Sequence, residues 1–292
     1  MQIVAFLIAL LVSLTLMEMM FAMGLRLTFT ELAGSIISSP WLVLRAVIAN
    51  YLIIPGLTLL VLLIFHTPPL IAIGFLLLAV CPAAPYGPPF TAIARGNLSL
   101  SVSLMVILAG FSAILAPLLL YFLLPIVAPG NFSLKFDTLR LVSTLFMIQL
   151  LPLCLGLAIR QWKPLLAGKL AVPSSHLSKL LNALMVIAIA VVQVRSLAEI
   201  GLSGFITMAA LLCTCLITGW LMGWPGNENR KTLTITTSLR NMSLSIVIAS
   251  SSFPGSPAVT TVLAYAFVSG TGLLFLVMWW RFRGSVAGVN TH

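Results

Sequence analysis

The chain has 292 residues, 61% of them hydrophobic and 7% charged, with a net charge of +10 at neutral pH. A soluble domain carries roughly 25% charged residues, so this composition excludes a water-soluble globule. The positive balance does not imply nucleic acid, because the basic residues lie singly between apolar runs, where they set orientation in a membrane.

Nine apolar spans are predicted, over residues 2–25, 41–65, 69–94, 98–127, 139–160, 177–195, 201–223, 229–253 and 258–280. Each can supply the ~20 residues that cross hydrocarbon. The first lacks a basic leader and runs on to Leu25, too far for a cleaved signal peptide. Placing the N-terminus outside puts Arg26, Arg45, Arg95, Arg160, Lys163, Lys169, Lys179, Arg230, Lys231, Arg281 and Arg283 on the inner side. Lys135, Arg140 and Arg195 then lie outside, eleven against three, which is the positive-inside asymmetry of a multi-pass cell-membrane protein. Trp41, after Pro40, and Trp279-Trp280, before Arg281, read as interface anchors. A single polytopic domain over 1–292 is expected, with a cytoplasmic tail over 282–292.

The third and eighth spans are interrupted. The first break is Cys81-Pro82-Ala83-Ala84-Pro85-Tyr86-Gly87-Pro88-Pro89, and the second is Thr236-Thr237-Ser238-Leu239-Arg240-Asn241. An unpaired backbone group in hydrocarbon costs several kcal/mol, so such breaks persist only where protein or a wet cavity shelters them. Paired breaks in corresponding halves point to a transporter's binding site, formed where the halves meet. The two spans cross in opposite directions, as an inverted repeat of four plus five spans requires. Candidate substrate and crossover residues are therefore Pro82, Pro85, Gly87, Pro88, Ser238, Arg240 and Asn241.

Little else suggests chemistry. Cys81, Cys154, Cys213 and Cys215 lie in apolar spans without metal-ligand spacing and read as small core residues. His66, His176 and His292 are isolated, and Glu31, Asp137, Glu199 and Glu228 read as solvated loop residues. Asn131-Phe132-Ser133 is formally a glycosylation sequon. There is no nucleophile-and-base set, so an enzyme is not expected.

Several segments resemble the bile acid:sodium symporter family. Met23-Gly24-Leu25 with Leu27-Thr28 matches its MGL-x-L-T signature, and Asn50-Tyr51-Leu52-Ile53-Ile54-Pro55 stands at its Q-F-x-x-M-P segment. Cys81-Pro82 with Ala94-Arg95-Gly96-Asn97 and Leu100-Ser101 matches CPGG…ARG[ND]xxLS. Leu151-Pro152 with Gly156-Leu157 matches LPxxxGL, and Lys231-Thr232-Leu233-Thr234-Ile235 with Asn241 and Leu244 matches KTLTIExGxQNxxL. The resemblance implies an all-α transporter with a panel domain (1–40 and 139–196) and a core domain (41–127 and 201–281). It further implies two broken helices crossing in the core, and sodium-coupled uptake of a small-molecule organic anion.

The implied sodium ligands are substituted. The family's Ser-Asn pair reads Gly87-Pro88, and its Ser and Thr on the next helix read Ser101 and Met105. Its glutamate reads Thr236, the following glutamine reads Arg240, and another glutamine reads Asn50. Intact sodium sites are not expected, and no other cofactor is implied. Arg240, costing at least about 2.5 to 3.5 kcal/mol at mid-membrane, has three readings. It replaces the sodium charge and donates to carbonyls freed at the first break, or it binds a substrate carboxylate, or it reaches an interface. Glu18, the one carboxylate clearly within a span, reads as a coupling group, as a partner of Arg240, or as a residue reaching the inner interface. Rival functions are a non-transporting receptor or scaffold on the same fold and a metalloid-oxyanion exporter. The residues fix neither the substrate nor the oligomeric state.

Overall fold

The computed structural model describes residues 2–128, 138–193, 201–253 and 256–289. The described residues are helices joined by short turns, with no strand among them. A lipid-embedded backbone that must satisfy its own hydrogen bonds takes this form. In order come α1 (Gln2–Gly24), α2 (Phe29–Ser38) and α3 (Pro40–Ile48), which passes through a π-helical turn (Ala49–Ile53) into α4 (Ile54–Ile64). Then follow α5 (Pro69–Val80), α6 (Gly87–Ile93) and α7 (Leu98–Val127). Next, α8 (Thr138–Leu145) runs through a second π turn (Phe146–Leu150) into α9 (Leu151–Trp162). The chain closes with α10 (Pro164–Gln193), α11 (Gly201–Met222), α12 (Asn227–Ser238), α13 (Met242–Ser252) and α14 (Pro257–Val289).

Five described stretches are long and apolar enough to cross a bilayer: Pro40–Ile64, Leu98–Val127, Val142–Trp162, Gly201–Met222 and Pro257–Phe282. Large apolar side chains such as Leu52, Ile64, Ile217 and Phe275 are exposed, while α12 is buried from Thr232 to Ser238. That inside-out arrangement suits a hydrocarbon solvent. Within α12 the hydroxyls of Thr232, Thr234, Thr236 and Thr237 each donate to a carbonyl one turn back, so a polar helix can be buried at little cost.

Both π turns precede a proline. Pro55 and Pro152 have no N–H to continue the ladder, and the wider turn is closed by Ile54 N–H donating to Ala49 O and Leu151 N–H to Phe146 O. Each turn presents a fully buried amide, Asn50 and Gln149.

Close approach is achieved through glycine. α1 packs on α9 and α10, and α11 packs on α12. A Cβ added at Gly24 would lie 2.3 Å from Leu153 O, and one at Gly156 would lie 2.5 Å from Phe21 O. The MGL and LPxxxGL segments are thus two sides of one crossing, where backbone touches backbone.

Several sequence expectations are corrected. The stretch after Leu25 contains α2, held by a capping box in which Glu31 Oε2 accepts from Thr28 N–H at 2.8 Å and Glu31 N–H donates to Thr28 Oγ1 at 3.1 Å. Glu31 is therefore a helix cap, not a free loop residue. The span expected at 177–195 begins at Pro164, because an exposed basic helix lowers hydropathy without breaking the helical pattern. The helix of the span expected at 258–280 runs on to Val289. Cys81 and Cys215 are buried, but Cys154 and Cys213 are exposed, on helix faces that meet lipid rather than the core. The sequon Asn131–Ser133, and Lys135, Asp137, Arg195, Glu199 and His292, lie outside the described residues.

Candidate functional site

Pro82 ends α5, because it cannot donate to the carbonyl four residues back. The carbonyls this frees are met from the second break. Asn241 N–H donates to Cys81 O at 2.8 Å, and Ser245 Oγ, 3.0 Å from Asn241 O on its own helix, also lies 3.3 Å from Leu77 O. Cys81 N–H, tightened into a shorter turn, donates to Leu78 O at 3.2 Å. The two breaks thus touch and pair each other's backbone. Asn241 also caps α13, its Oδ1 accepting from Leu244 N–H at 3.0 Å.

Arg240 is 5% exposed. Its Nη1 donates to Asn50 Oδ1 at 2.9 Å, and its Nη2 faces Cys215 Sγ at 3.8 Å. Asn50 Nδ2 donates to Ala46 O at 2.8 Å, which fixes the amide so that its oxygen meets the cation. The guanidinium therefore goes to the π turn, not to the carbonyls of the first break, because Asn241 and Ser245 already serve those. The Nε of Arg240 and the Nδ2 of Asn241 are buried without a partner among the described residues. So is Ser238 Oγ.

A cavity of about 190 Å³ lies against this junction, lined by Pro85, Tyr86, Asn182, Arg240, Asn241 and Ser243 among others. Asn182, on α10, donates to the Tyr86 hydroxyl and accepts from Ser243 Oγ at 3.5 Å. A second cavity of about 150 Å³, lined by Arg26, Met105, Pro88 and Lys179 among others, shares Met19, Pro85 and Tyr86 with the first. Tyr86, tied to Asn182, is thus wall to both.

The other predicted residues divide. Gly87 and Ser101 are joined through Thr91, whose Oγ1 donates to Gly87 O at 2.9 Å and lies 3.0 Å from Ser101 Oγ. Pro82, Gly87 and Pro88 are buried. Thr236, expected at the carboxylate position, turns its hydroxyl onto Thr232 O at 2.8 Å. Glu18 accepts from Ser174 Oγ, and no contact joins it to Arg240. With no carboxylate at either group and a guanidinium bonded to Asn50, these side chains do not fit a pair of sodium sites.

Sequence reasoning missed Tyr86, Asn182 and Ser243 as cavity residues, and also Gln149. Gln149 Nε2 donates to Ala109 O and, at 2.6 Å, to Ser112 Oγ. An amide ahead of a helix proline was the available signal for Gln149; no local pattern marks Asn182.

The remaining motifs also meet in space. Lys231 Nζ donates to Ala94 O at 3.0 Å, and Asn97 N–H donates to Thr232 Oγ1 at 2.8 Å, so the ARGN and KTLTI segments clasp each other. Comparison with known proteins agrees. The Sodium Bile acid symporter family matches over residues 13–200. The Uncharacterized sodium-dependent transporter YocS of Bacillus subtilis is 25% identical over 271 residues, covering 89% of this chain and 80% of its own. The Probable sodium/metabolite cotransporter BASS2 of Oryza sativa is 24% identical over 274 residues, and BASS1 of Arabidopsis thaliana 26% over 263. These alignments cover 91% and 85% of this chain but only 62% and 61% of the two chloroplastic proteins. A family match across most of the chain, on a helical bundle whose interlocking segments are that family's own, makes this a membrane transporter of the Sodium Bile acid symporter family.

Proposed function

We propose that the chain carries a small organic anion across the cell membrane by alternating access, with the guanidinium of Arg240 standing where its relatives would coordinate a cation. In this reading nine spans form an inverted repeat of four plus five, with the N-terminus outside and the C-terminus in the cytoplasm. A core (41–127 and 201–281) then moves against a panel (1–40 and 139–196). The observation that carries it is the bond from Arg240 Nη1 to Asn50 Oδ1 at 2.9 Å, with the Thr236 hydroxyl turned away onto its own helix. A positive charge fixed at the junction removes the need for a sodium ion there and repels one that approaches. The relatives' names include sodium; here the coupling has changed.

The same residue serves the substrate. One edge of the guanidinium holds the π turn, while Nε and the neighbouring Asn241 Nδ2 are unpaired donors beside the 190 Å³ cavity. They are sealed in this conformation, and movement of Asn182 away from Tyr86 and Ser243 opens them to an anion. A carboxylate is the group that a planar fork and the N-terminus of α13 both favour.

The test is uptake of a panel of small carboxylates into proteoliposomes with sodium or potassium outside. The wild type is expected to transport equally in both. Thr236→Glu with Arg240→Gln is expected to introduce sodium dependence. Sodium-dependent uptake by the wild type would overturn the reading. Coupling through Glu18 is tested by the rate across about pH 5 to 8; a flat profile excludes it.

A further inference from the structure

The geometry points to an anionic phospholipid bound on the flank of the bundle, in a groove between α11 and α14 over the start of α12. The groove encloses about 700 Å³ and has no acidic side chain among its described lining residues. Its apolar wall is Ile217 and Leu221, 59% and 65% exposed. It also carries three tryptophans, Trp220, Trp279 and Trp280. The Trp220 and Trp280 rings stack with centroids 5.8 Å apart. Each ring has a cation over it, Arg230 Cζ at 5.3 Å from Trp220 and Lys231 Nζ at 6.0 Å from Trp280.

These features sort by depth as a lipid does. Tryptophan favours the headgroup level of a membrane, and Trp279-Trp280 lead directly into Arg281. Lys231 spends one N–H on Ala94 O, and an ammonium has three, so it retains donors for a phosphate. Leu216 and Ile217 on α11 and Leu276 on α14, about one turn back from Trp220 and Trp280, continue the groove as a bed for an acyl chain. A zwitterionic headgroup already neutralises its own phosphate, so the Lys231 ammonium, in a groove with no acidic side chain among its described lining residues, selects an anionic lipid. The groove is also preformed. A Cβ at Gly219 would lie 2.5 Å from Thr234 Cα, and one at Gly223 would lie 2.4 Å from Arg230 Cα. Backbone contact between α11 and α12 therefore fixes the start of α12 against the helix that carries Trp220.

The bound lipid clamps the first half of the second broken span against its neighbours. The experiment measures thermal unfolding of the purified transporter in neutral detergent with added dioleoyl phosphatidylglycerol, dioleoyl phosphatidylcholine or free glycerol 3-phosphate, with native mass spectrometry counting retained lipid. Near a hundred times its Kd, phosphatidylglycerol is expected to raise Tm by about 5 °C, and one lipid is expected to survive transfer to the gas phase. Phosphatidylcholine and glycerol 3-phosphate are expected to do neither. Trp279→Leu and Lys231→Gln are each expected to lose most of the shift, measured against their own lipid-free Tm. Because Lys231 also holds Ala94, Trp279→Leu is the deciding variant if Lys231→Gln does not fold. An equal response to both lipids, a shift produced by glycerol 3-phosphate, or a full shift in Trp279→Leu would overturn the assignment.

Discussion

The Arg240–Asn50 contact can be dissected energetically, because its two halves fail in different ways. Asn50→Leu removes the oxygen 2.9 Å from Nη1 and leaves a guanidinium that is 5% exposed with only the distant Cys215 sulfur. A buried charge-assisted hydrogen bond is worth about 1.5–3 kcal/mol, and the stranded cation adds its own desolvation. Arg240→Met removes the charge together with its desolvation cost and strands only a neutral amide oxygen, costing about 1–3 kcal/mol before that relief. Asn50→Leu is therefore the more damaging single change. The double variant, with nothing left unpaired, is expected to recover about 1.5–3 kcal/mol relative to the sum of the two. Reversible unfolding in mixed detergent–SDS micelles, followed by tryptophan fluorescence, measures all four proteins. Additive single effects, or Arg240→Met as the worse variant, would refute the claim that this bond fixes the cation.

Two further outcomes follow from local geometry. Gly24→Ala and Gly156→Ala each force α1 and α9 apart by about 1 Å and are expected to cost about 1–3 kcal/mol apiece. The pair should cost less than the sum, since one separation relieves both clashes. Gly110→Ala, with open space around its position, should cost nothing in the same micelle assay and serves as the control. At the cap of α2, the Thr28 N–H holds the Glu31 carboxyl below its ordinary value. That stabilisation is complete above the ordinary carboxylate pKa, near 4.3, and is lost as pH falls through the lower folded value. Protection factors of the α2 amides, taken against the intrinsic exchange rate at each pH, should therefore drop only at acid pH, and Glu31→Gln should flatten that profile; an identical profile in the variant removes the cap from the account.

The sequence announced the features made of prolines and spacing, because these act locally. Pro82 through Pro89 predicts where α5 must stop, and Gly24 and Gly156 stand inside recognisable segments. Contacts across the chain were not legible. Nothing near Arg240 indicates that its partner is Asn50, 190 residues away, so freed carbonyls looked like the natural acceptors. Asn182 lies in a stretch that reads simply as apolar helix, and its bond to Tyr86 exists only once α10 is laid against the first break. α2 was legible in principle. Thr28 and Glu31 have capping-box spacing, but a ten-residue helix falls below any membrane-span window.

The two breaks are also unequal in what holds them, and this bears on how the site can move. At the second, Asn241 binds the first break through its backbone and caps α13 through its side chain, so it is fixed from both ends. At the first, Ala83 holds a left-handed φ of 71°, a conformation that costs an L-residue about 1–2 kcal/mol and glycine far less. The strain sits between Cys81, whose carbonyl is clamped by Asn241 N–H, and Tyr86, which forms the shared wall of the two cavities. A segment strained on one side and anchored by a single side-chain bond on the other is the natural place for the junction to yield. Ala83→Gly relaxes that strain without touching the wall. It is expected to stabilise the resting protein slightly, since the entropy glycine gains in the unfolded chain offsets part of the relief. If the stored strain drives release of Tyr86, the same substitution should slow transport although the protein is no less stable. Faster transport by Ala83→Gly would mean that flexibility, and not strain, limits the opening.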